Sequence, residues 1–175
     1  DSQEKLGNHA PAGILRGGKY SLFDAGTRVP FITYWKGTIA PGKSDALVCQ
    51  LDLLTSMAAL VGSDKTGEDS ENLLDAFLGK STEGREELVL EATSRTAFRK
   101  GNWAMIPPYK GAAINKQVNI ELGNAEEYQL YDLEKDPSQK ENLAKSNPEK
   151  LQELVADFEK IRGNGNEGVQ DLELK

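Results

Sequence analysis

The sequence predicts an α+β fold in which a buried strand and one or two helices precede a small antiparallel sheet of about four strands packed by a C-terminal helix. Three observations support this prediction. Residues 29–35 are apolar, β-branched and aromatic, residues 87–133 alternate short strand-like segments with turn residues, and residues 148–162 carry apolar side chains at helical spacing. With 175 residues, 38% of them hydrophobic, the chain is long enough to bury a core.

The first half of the chain begins with a polar, irregular segment over residues 1–15. Residues 29–35 have almost no polar break, which predicts a strand buried on both faces. A helix is expected to begin near Asp52, whose side chain suits an N-cap, and to end before Gly62. A second, shorter helix is expected over residues 73–78.

The second half predicts a sheet and a terminal helix. Strands are expected at residues 87–92, 96–100, 103–106, 118–122 and 128–133, with a hairpin turn at residues 101–102. Asp132 and Asp136 suit turns in which the carboxylate accepts backbone hydrogen bonds. Asn147 followed by Pro148 marks a helix start.

Charge and composition exclude several classes of function. The net charge is −7, from 28 acidic and 21 basic residues, and no basic stripe of the kind that binds nucleic acid is present. No apolar run approaches the roughly 20 residues that a membrane helix needs. Cys49 is the only cysteine, so an internal disulfide is impossible. The opening residues read like the interior of a longer protein, so we expect a longer parent.

Four segments occur in an order typical of one enzyme family: residues 15–21 (LRGGKYS), 23–32 (FDAGTRVPFI), 50–54 (QLDLL) and 128–137 (YQLYDLEKDP). Together they resemble formylglycine-dependent (type I), arylsulfatase-like sulfatases of the alkaline phosphatase superfamily. The resemblance implies a fragment of a sulfuric ester hydrolase. Residues 1–80 would be the C-terminal end of the catalytic domain and residues 81–163 a small C-terminal α+β subdomain, whereas residues 164–175 are expected to form a disordered tail.

The resemblance identifies Lys19 as the site residue, both catalytic and substrate-binding, because the corresponding lysine of the family contacts the sulfate group. An ammonium placed in advance can stabilise charge that develops on sulfate oxygens. Gly17 and Gly18 would let the backbone pass close to the site and adopt a positive φ. The alternative is an ordinary surface lysine in a glycine turn. His9 is a second substrate-binding candidate, against the simpler interpretation of a solvated loop histidine.

The nucleophile motif of the family, C/S-x-P-x-R, is not in this sequence. Cys49 is followed by Leu51 and Leu53 where the motif requires Pro and Arg, and Ser146 is followed by Lys150 where it requires Arg. The resemblance also places the metal ligands of the family in an early Asp pair and an Asp-Asn pair ahead of the Lys19 segment, so no cofactor or metal ligand is assigned to this chain, and the fragment alone is expected to be inactive. The resemblance implies that the parent uses Ca²⁺ and a formylglycine residue, both upstream.

Two other functions stay open from the sequence. One is a phosphonate or phosphate ester hydrolase of the same superfamily, and the other is a non-catalytic structural module. The expected partner of the parent is a sulfated small molecule or glycan, with no nucleic acid and no membrane span. An extracytoplasmic location follows from the resemblance, and a dimer is expected through the exposed edge of strand 29–35.

Overall fold

The structure, a computed structural model, describes residues 10–163. Within that part the chain divides into two compact units. One comprises the residues up to Thr27 together with those from Val89 onward, and the other comprises Arg28–Leu88. The N-terminal segment therefore belongs to the same unit as the C-terminal half of the chain. The boundary predicted near residue 80 remains a prediction about sequence domains.

The first unit contains the predicted antiparallel sheet. In the described residues it has four strands in the order β1 (Glu87–Ala92), β2 (Arg95–Lys100), β3 (Trp103–Ile106) and β6 (Gln129–Asp132). Strands β2 and β3 form the expected hairpin, and β3 pairs antiparallel with β6. A separate pair of short strands, β4 (Ile114–Asn115) and β5 (Ile120–Glu121), replaces the single longer strand predicted over residues 118–122.

The sheet buries apolar side chains on both faces because successive side chains of a strand point to opposite sides. One face packs in a cluster of Leu22, Phe23, Ala97, Ile106, Tyr131 and Leu133. The other packs in a cluster of Phe98, Met105, Leu130, Ala144, Leu154 and Phe158. The Gly-rich N-terminal segment thus covers one face of the sheet, and the C-terminal helix covers the other.

The C-terminal helix α3 (Pro148–Arg162) begins where the sequence predicted, with Pro148 directly after Asn147. Its Leu154 and Phe158 are buried, and the ring of Phe158 lies 5.8 Å from that of Phe98 in β2. The near miss to the nucleophile motif at residues 146–150 is therefore an ordinary helix start. Nowhere in residues 10–163 does a helix have both the length and the apolar character to cross a membrane.

The second unit contains α1 (Asp52–Leu60) and α2 (Leu74–Phe77), both close to their predicted positions. The N-cap prediction for Asp52 is wrong, because Leu51 occupies that position. The fully buried Asp52 carboxylate instead accepts hydrogen bonds from the Arg85 guanidinium at 2.5–2.9 Å and from the Cys49 backbone N–H at 2.9 Å. Burial raises the pKa of Asp52, but Arg85 and the backbone donors outweigh it and hold that pKa below its usual value.

Helix α1 also buries its polar face. Thr55 and Ser56 are buried and exchange hydrogen bonds with residues 67–73, whereas Leu54 and Val61 are 60% and 78% exposed. Hydrogen bonds from short polar side chains therefore hold this helix in its unit, while its apolar stripe faces outward.

The buried strand predicted at residues 29–35 is not present. The segment is irregular, with neither helix nor strand, and Ile32 and Tyr34 are 87% and 84% exposed. A β-branched, aromatic run becomes a strand only when a neighbouring strand satisfies its backbone groups, and none of the described residues pairs with it. A dimer was expected through the edge of this strand. Because the segment is not a strand, that expectation loses its basis.

Candidate functional site

Lys19 lies at the tip of a β-turn. The backbone N–H of Ser21 donates to the carbonyl of Gly18 at 2.9 Å, which closes the turn around Lys19 and Tyr20. The φ angle of Tyr20 is +77°, the value that the third residue of a type II turn adopts. Lys19 is exposed, whereas Ser21 is completely buried. The turn therefore presents the lysine outward from a buried base.

Glycine is required at the base of this turn. Gly17 has a φ of +86°, and a Cβ there would lie 2.3 Å from the Ser21 hydroxyl oxygen. A Cβ on Gly26 would lie 2.0 Å from the Ser21 carbonyl oxygen. Both positions are too close for any side chain, because real Cβ contacts are essentially never under 3.0 Å. The positive φ predicted for Gly17 is confirmed, whereas the same prediction for Gly18 is wrong, because its φ is not positive.

Arg16 anchors the turn on its N-terminal side. Its Nε and Nη2 atoms donate to the two carboxylate oxygens of Glu121 at 2.9 and 2.6 Å, a bidentate geometry. The guanidinium also lies 4.0 Å from the centroid of the Phe23 ring. The hydrogen bond from Arg16 lowers the pKa of Glu121. Because the Glu121 side chain is 45% exposed, solvent screens part of this attraction.

Gln139 ties together both ends of the segment that carries Lys19. Its backbone carbonyl accepts a hydrogen bond from Arg16 Nη1 at 2.6 Å, and its side-chain Oε1 accepts one from the Asp24 backbone N–H at 2.7 Å. Gln139 is only 1% exposed and has a φ of +50°. One buried residue therefore holds the chain both before and after the turn.

Two aspartates shape the loop that supports Gln139. The Asp136 carboxylate accepts from the backbone N–H groups of Lys140 at 2.6 Å and Glu141 at 2.8 Å. The Asp132 carboxylate accepts from those of Glu134 at 3.1 Å and Lys135 at 3.3 Å. The turn bonding predicted for both aspartates is confirmed, and its consequence is to place Gln139 under the Lys19 segment.

The segment after the turn is attached to the β4–β5 region. The Leu22 backbone N–H donates to the Leu122 carbonyl at 3.0 Å, and Leu22 itself is buried. Gly123 has a φ of +84°, and a Cβ at that position would lie 2.9 Å from the Leu22 Cβ. This glycine therefore permits the close approach of the two backbone segments.

The described residues thus place Lys19 in a firmly anchored turn, with its Nζ 5.0 Å from the centroid of the Tyr20 ring. Such an arrangement can present a positive charge to an anion. Contact with sulfate stays a prediction for Lys19. His9, the other candidate, lies outside the described residues.

Neither metal nor nucleophile chemistry is provided by the described part of the chain. Within residues 10–163 no group of three or more His, Cys, Asp or Glu side chains is placed to hold a metal ion. Cys49 lies in the second unit, where burial is the largest cause that raises its thiol pKa. A raised pKa favours the unreactive thiol form.

Sequence reasoning missed the residues that support the turn. Arg16 lies in the quoted motif, but its partners Glu121 and Gln139 are 105 and 123 positions away and belong to no local pattern. In the sequence, Glu121 reads as part of an alternating strand and Gln139 as part of a turn signature, and neither pattern points to Arg16. No signal in a single sequence could have connected them.

Comparison with known proteins places this architecture in one family. The sulfatase family model matches residues 4–63. The chain is 42% identical over 163 residues to an N-acetylgalactosamine-6-O-sulfatase of Bacteroides thetaiotaomicron, covering 91% of the chain and 32% of that relative. It is 32% identical over 162 residues to human arylsulfatase A, covering 82% of the chain and 32% of that relative.

A solved structure supports the same family. It comes from work on glycosaminoglycan metabolism by Bacteroides thetaiotaomicron, has 42% identity and a TM-score of 0.84, and is matched over 92% of this chain and 34% of its own. The chain belongs to the sulfatase family. It spans about a third of the length of the curated relatives that it matches.

Proposed function

We propose that a complete sulfatase containing this chain hydrolyses sulfate esters and that Lys19 contacts the sulfate group. The observation that carries the proposal is the anchored turn. Arg16 on one side and Asp24 on the other both bond to Gln139, and Lys19 lies between them at the exposed tip. The similarity to named sulfatases supports the reaction class.

The chemistry suits a lysine in that position. A sulfate ester is an anion, and its cleavage shifts charge onto the sulfate oxygens and the departing alcohol oxygen. An ammonium that donates charge-assisted hydrogen bonds stabilises this distribution. An exposed lysine alone would contribute little, because water screens it and its side chain is flexible. A fixed backbone and a substrate that excludes water both increase its contribution.

The remaining machinery belongs outside this chain in our proposal. Sulfatases of this type are expected to use formylglycine and Ca²⁺, yet the sequence lacks C/S-x-P-x-R and the described residues offer no calcium ligand set. We therefore assign no reaction step through either group to these residues. The proposed contribution of this chain is the Lys19 contact and the C-terminal subdomain that supports it.

The proposed substrate is a sulfated glycan. A relative with 42% identity is named an N-acetylgalactosamine-6-O-sulfatase, and the similar solved structure comes from work on glycosaminoglycans. A sugar that carries a 6-O-sulfated N-acetylgalactosamine is therefore the first substrate to test. An extracytoplasmic location, where such polymers are encountered, accompanies this proposal.

The test compares two lysine variants in the complete sulfatase. Lys19→Ala is expected to lower kcat/KM for 6-O-sulfated N-acetylgalactosamine by about 100-fold or more, as loss of one preplaced donor does in other enzymes. Lys116→Ala, which removes an exposed lysine between β4 and β5, is the matched control and should stay within about twofold of the parent. Unchanged turnover in Lys19→Ala would overturn the role of Lys19. Faster cleavage of the matching phosphate ester would overturn the reaction class.

A further inference from the structure

We propose that Tyr20 is a positioning residue that holds the Lys19 ammonium at the tip of the turn through a cation–π contact. The inference rests on the proposed function, since it concerns how the sulfate-contacting lysine is presented. Two observations carry it. The ring centroid of Tyr20 lies 5.0 Å from Lys19 Nζ, and the backbone of Tyr20 has a φ of +77°.

The backbone angle makes tyrosine a costly choice at this position. A Cβ at positive φ crowds the neighbouring carbonyl oxygen, so L-residues other than Asn and Asp rarely adopt this region. Glycine would form the same turn without that penalty, and type II turns favour glycine at this place. A bulky residue held in such a conformation indicates a role for its side chain.

The ring is placed to supply that role. Tyr20 is 41% exposed, so its side chain is not held there by burial in the core. A cation within about 6 Å of an aromatic centroid is attracted by the electrons of the ring face. The contact restrains the flexible lysine side chain, and a neutral ring does so without cancelling the positive charge as a carboxylate would. The contact therefore restrains the ammonium at the tip of the turn.

The consequence for binding is modest and measurable. An exposed cation–π contact corresponds to about a 2- to 5-fold change in an equilibrium constant. Removing the ring should therefore weaken recognition of the sulfate group by about that factor. The effect should act only through Lys19.

Tyr20→Gly in the complete sulfatase separates this role from a structural one. Glycine relieves the strained φ, so the thermal midpoint should stay unchanged or rise, while KM for the 6-O-sulfated substrate should rise by about 2- to 5-fold. Tyr20→Phe keeps the ring and loses the hydroxyl, so it should match the parent. In a Lys19→Ala background, Tyr20→Gly should have no further effect on kcat/KM.

Each result is decisive. If Tyr20→Gly keeps the parental KM while Lys19→Ala loses activity, the inference is overturned and the proposed function stands. If Lys19→Ala keeps full activity, the proposed sulfate contact of Lys19 fails and the inference fails with it, while the reaction class stands. A lower midpoint in Tyr20→Gly, an equal loss in Tyr20→Phe, or an undiminished effect in the Lys19→Ala background would each overturn the positioning role.

Discussion

The side-chain oxygen of Gln139 accepts a hydrogen bond at 2.7 Å from the backbone N–H of Asp24, a residue 115 positions earlier in the chain. Gln139 follows the tyrosine-rich segment 128–137, and Asp24 follows the glycine-rich segment 15–21. Asp24, which belongs to the family-like segment 23–32, is therefore bonded directly to the loop that follows the family-like segment 128–137. That loop supports the backbone that presents Lys19.

Gln139→Ala should loosen the Lys19 segment. The substitution leaves the buried Asp24 N–H without its acceptor, which costs about 1–3 kcal/mol. We expect a lower free energy of unfolding and faster hydrogen exchange at the Asp24 amide. Gln117→Ala, which truncates an exposed glutamine in the β4–β5 connection, is the control and should change neither quantity. Unaltered exchange at Asp24 in Gln139→Ala would show that the hydrogen bond does not hold the segment.

Gly17→Ala should destabilise the turn by more than the cost of placing a Cβ at a positive φ. Its new Cβ would lie 2.3 Å from the Ser21 hydroxyl oxygen, so the turn must move. Gly13→Ala is the matched control, since Gly13 also has a positive φ (+62°) but nothing within 4 Å of its added Cβ. Both variants pay the backbone penalty of about 1–2 kcal/mol. A larger fall in thermal midpoint and in sulfate ester turnover is expected for Gly17→Ala alone, and equal effects would contradict the packing argument.

Glu121→Gln should change how stability depends on pH. Arg16 lowers the pKa of Glu121 in the folded state, so the unfolded state binds more protons as the pH falls toward the ordinary value of about 4.3. The stabilisation is therefore complete above that value and is lost as the pH falls through the folded pKa. The stability advantage of the parent over Glu121→Gln, measured by denaturant unfolding, should shrink from pH 6 to pH 3. The control is Glu127→Gln, in which the exposed pair with Lys145 should contribute little at any pH.

The sheet and the terminal helix could be predicted because their signals are local. Residues 87–106 show strands separated by turn residues, and Pro148 follows an N-cap residue, so short-range chemistry determines both elements. The glycine at position 17 was also predictable, since a turn beside a candidate site calls for a positive φ. In each case the sequence contains the physical reason within a few residues.

The failures occurred where the environment decides the structure. Residues 29–35 have strand composition, but in residues 10–163 no strand pairs with them, and so the segment stays irregular. Asp52 is a residue type typical of an N-cap, but its carboxylate accepts hydrogen bonds from Arg85, 33 positions later. The anchoring of Arg16 by Glu121 is equally remote. Contacts between distant residues leave no periodic pattern, so a single sequence cannot reveal them.

Asp52 and Arg85 form the ion pair whose loss should destabilise the second unit most. The Asp52 side chain is fully buried and that of Arg85 is 10% exposed. Removing one partner therefore leaves the charge of the other in a poorly solvated place. Asp52→Ala should cost about 3–5 kcal/mol, because the largely buried Arg85 loses its fully buried partner and keeps only the half-exposed carboxylate of Glu71. The double variant Asp52→Ala/Arg85→Ala should cost less than the sum of the single changes, a coupling that denaturant unfolding of all four proteins measures. The same cycle on Lys145 and Glu127, whose side chains are 83% and 66% exposed, should give a coupling below about 1 kcal/mol. Equal couplings in the two cycles would mean that burial does not set the strength of the Asp52–Arg85 pair.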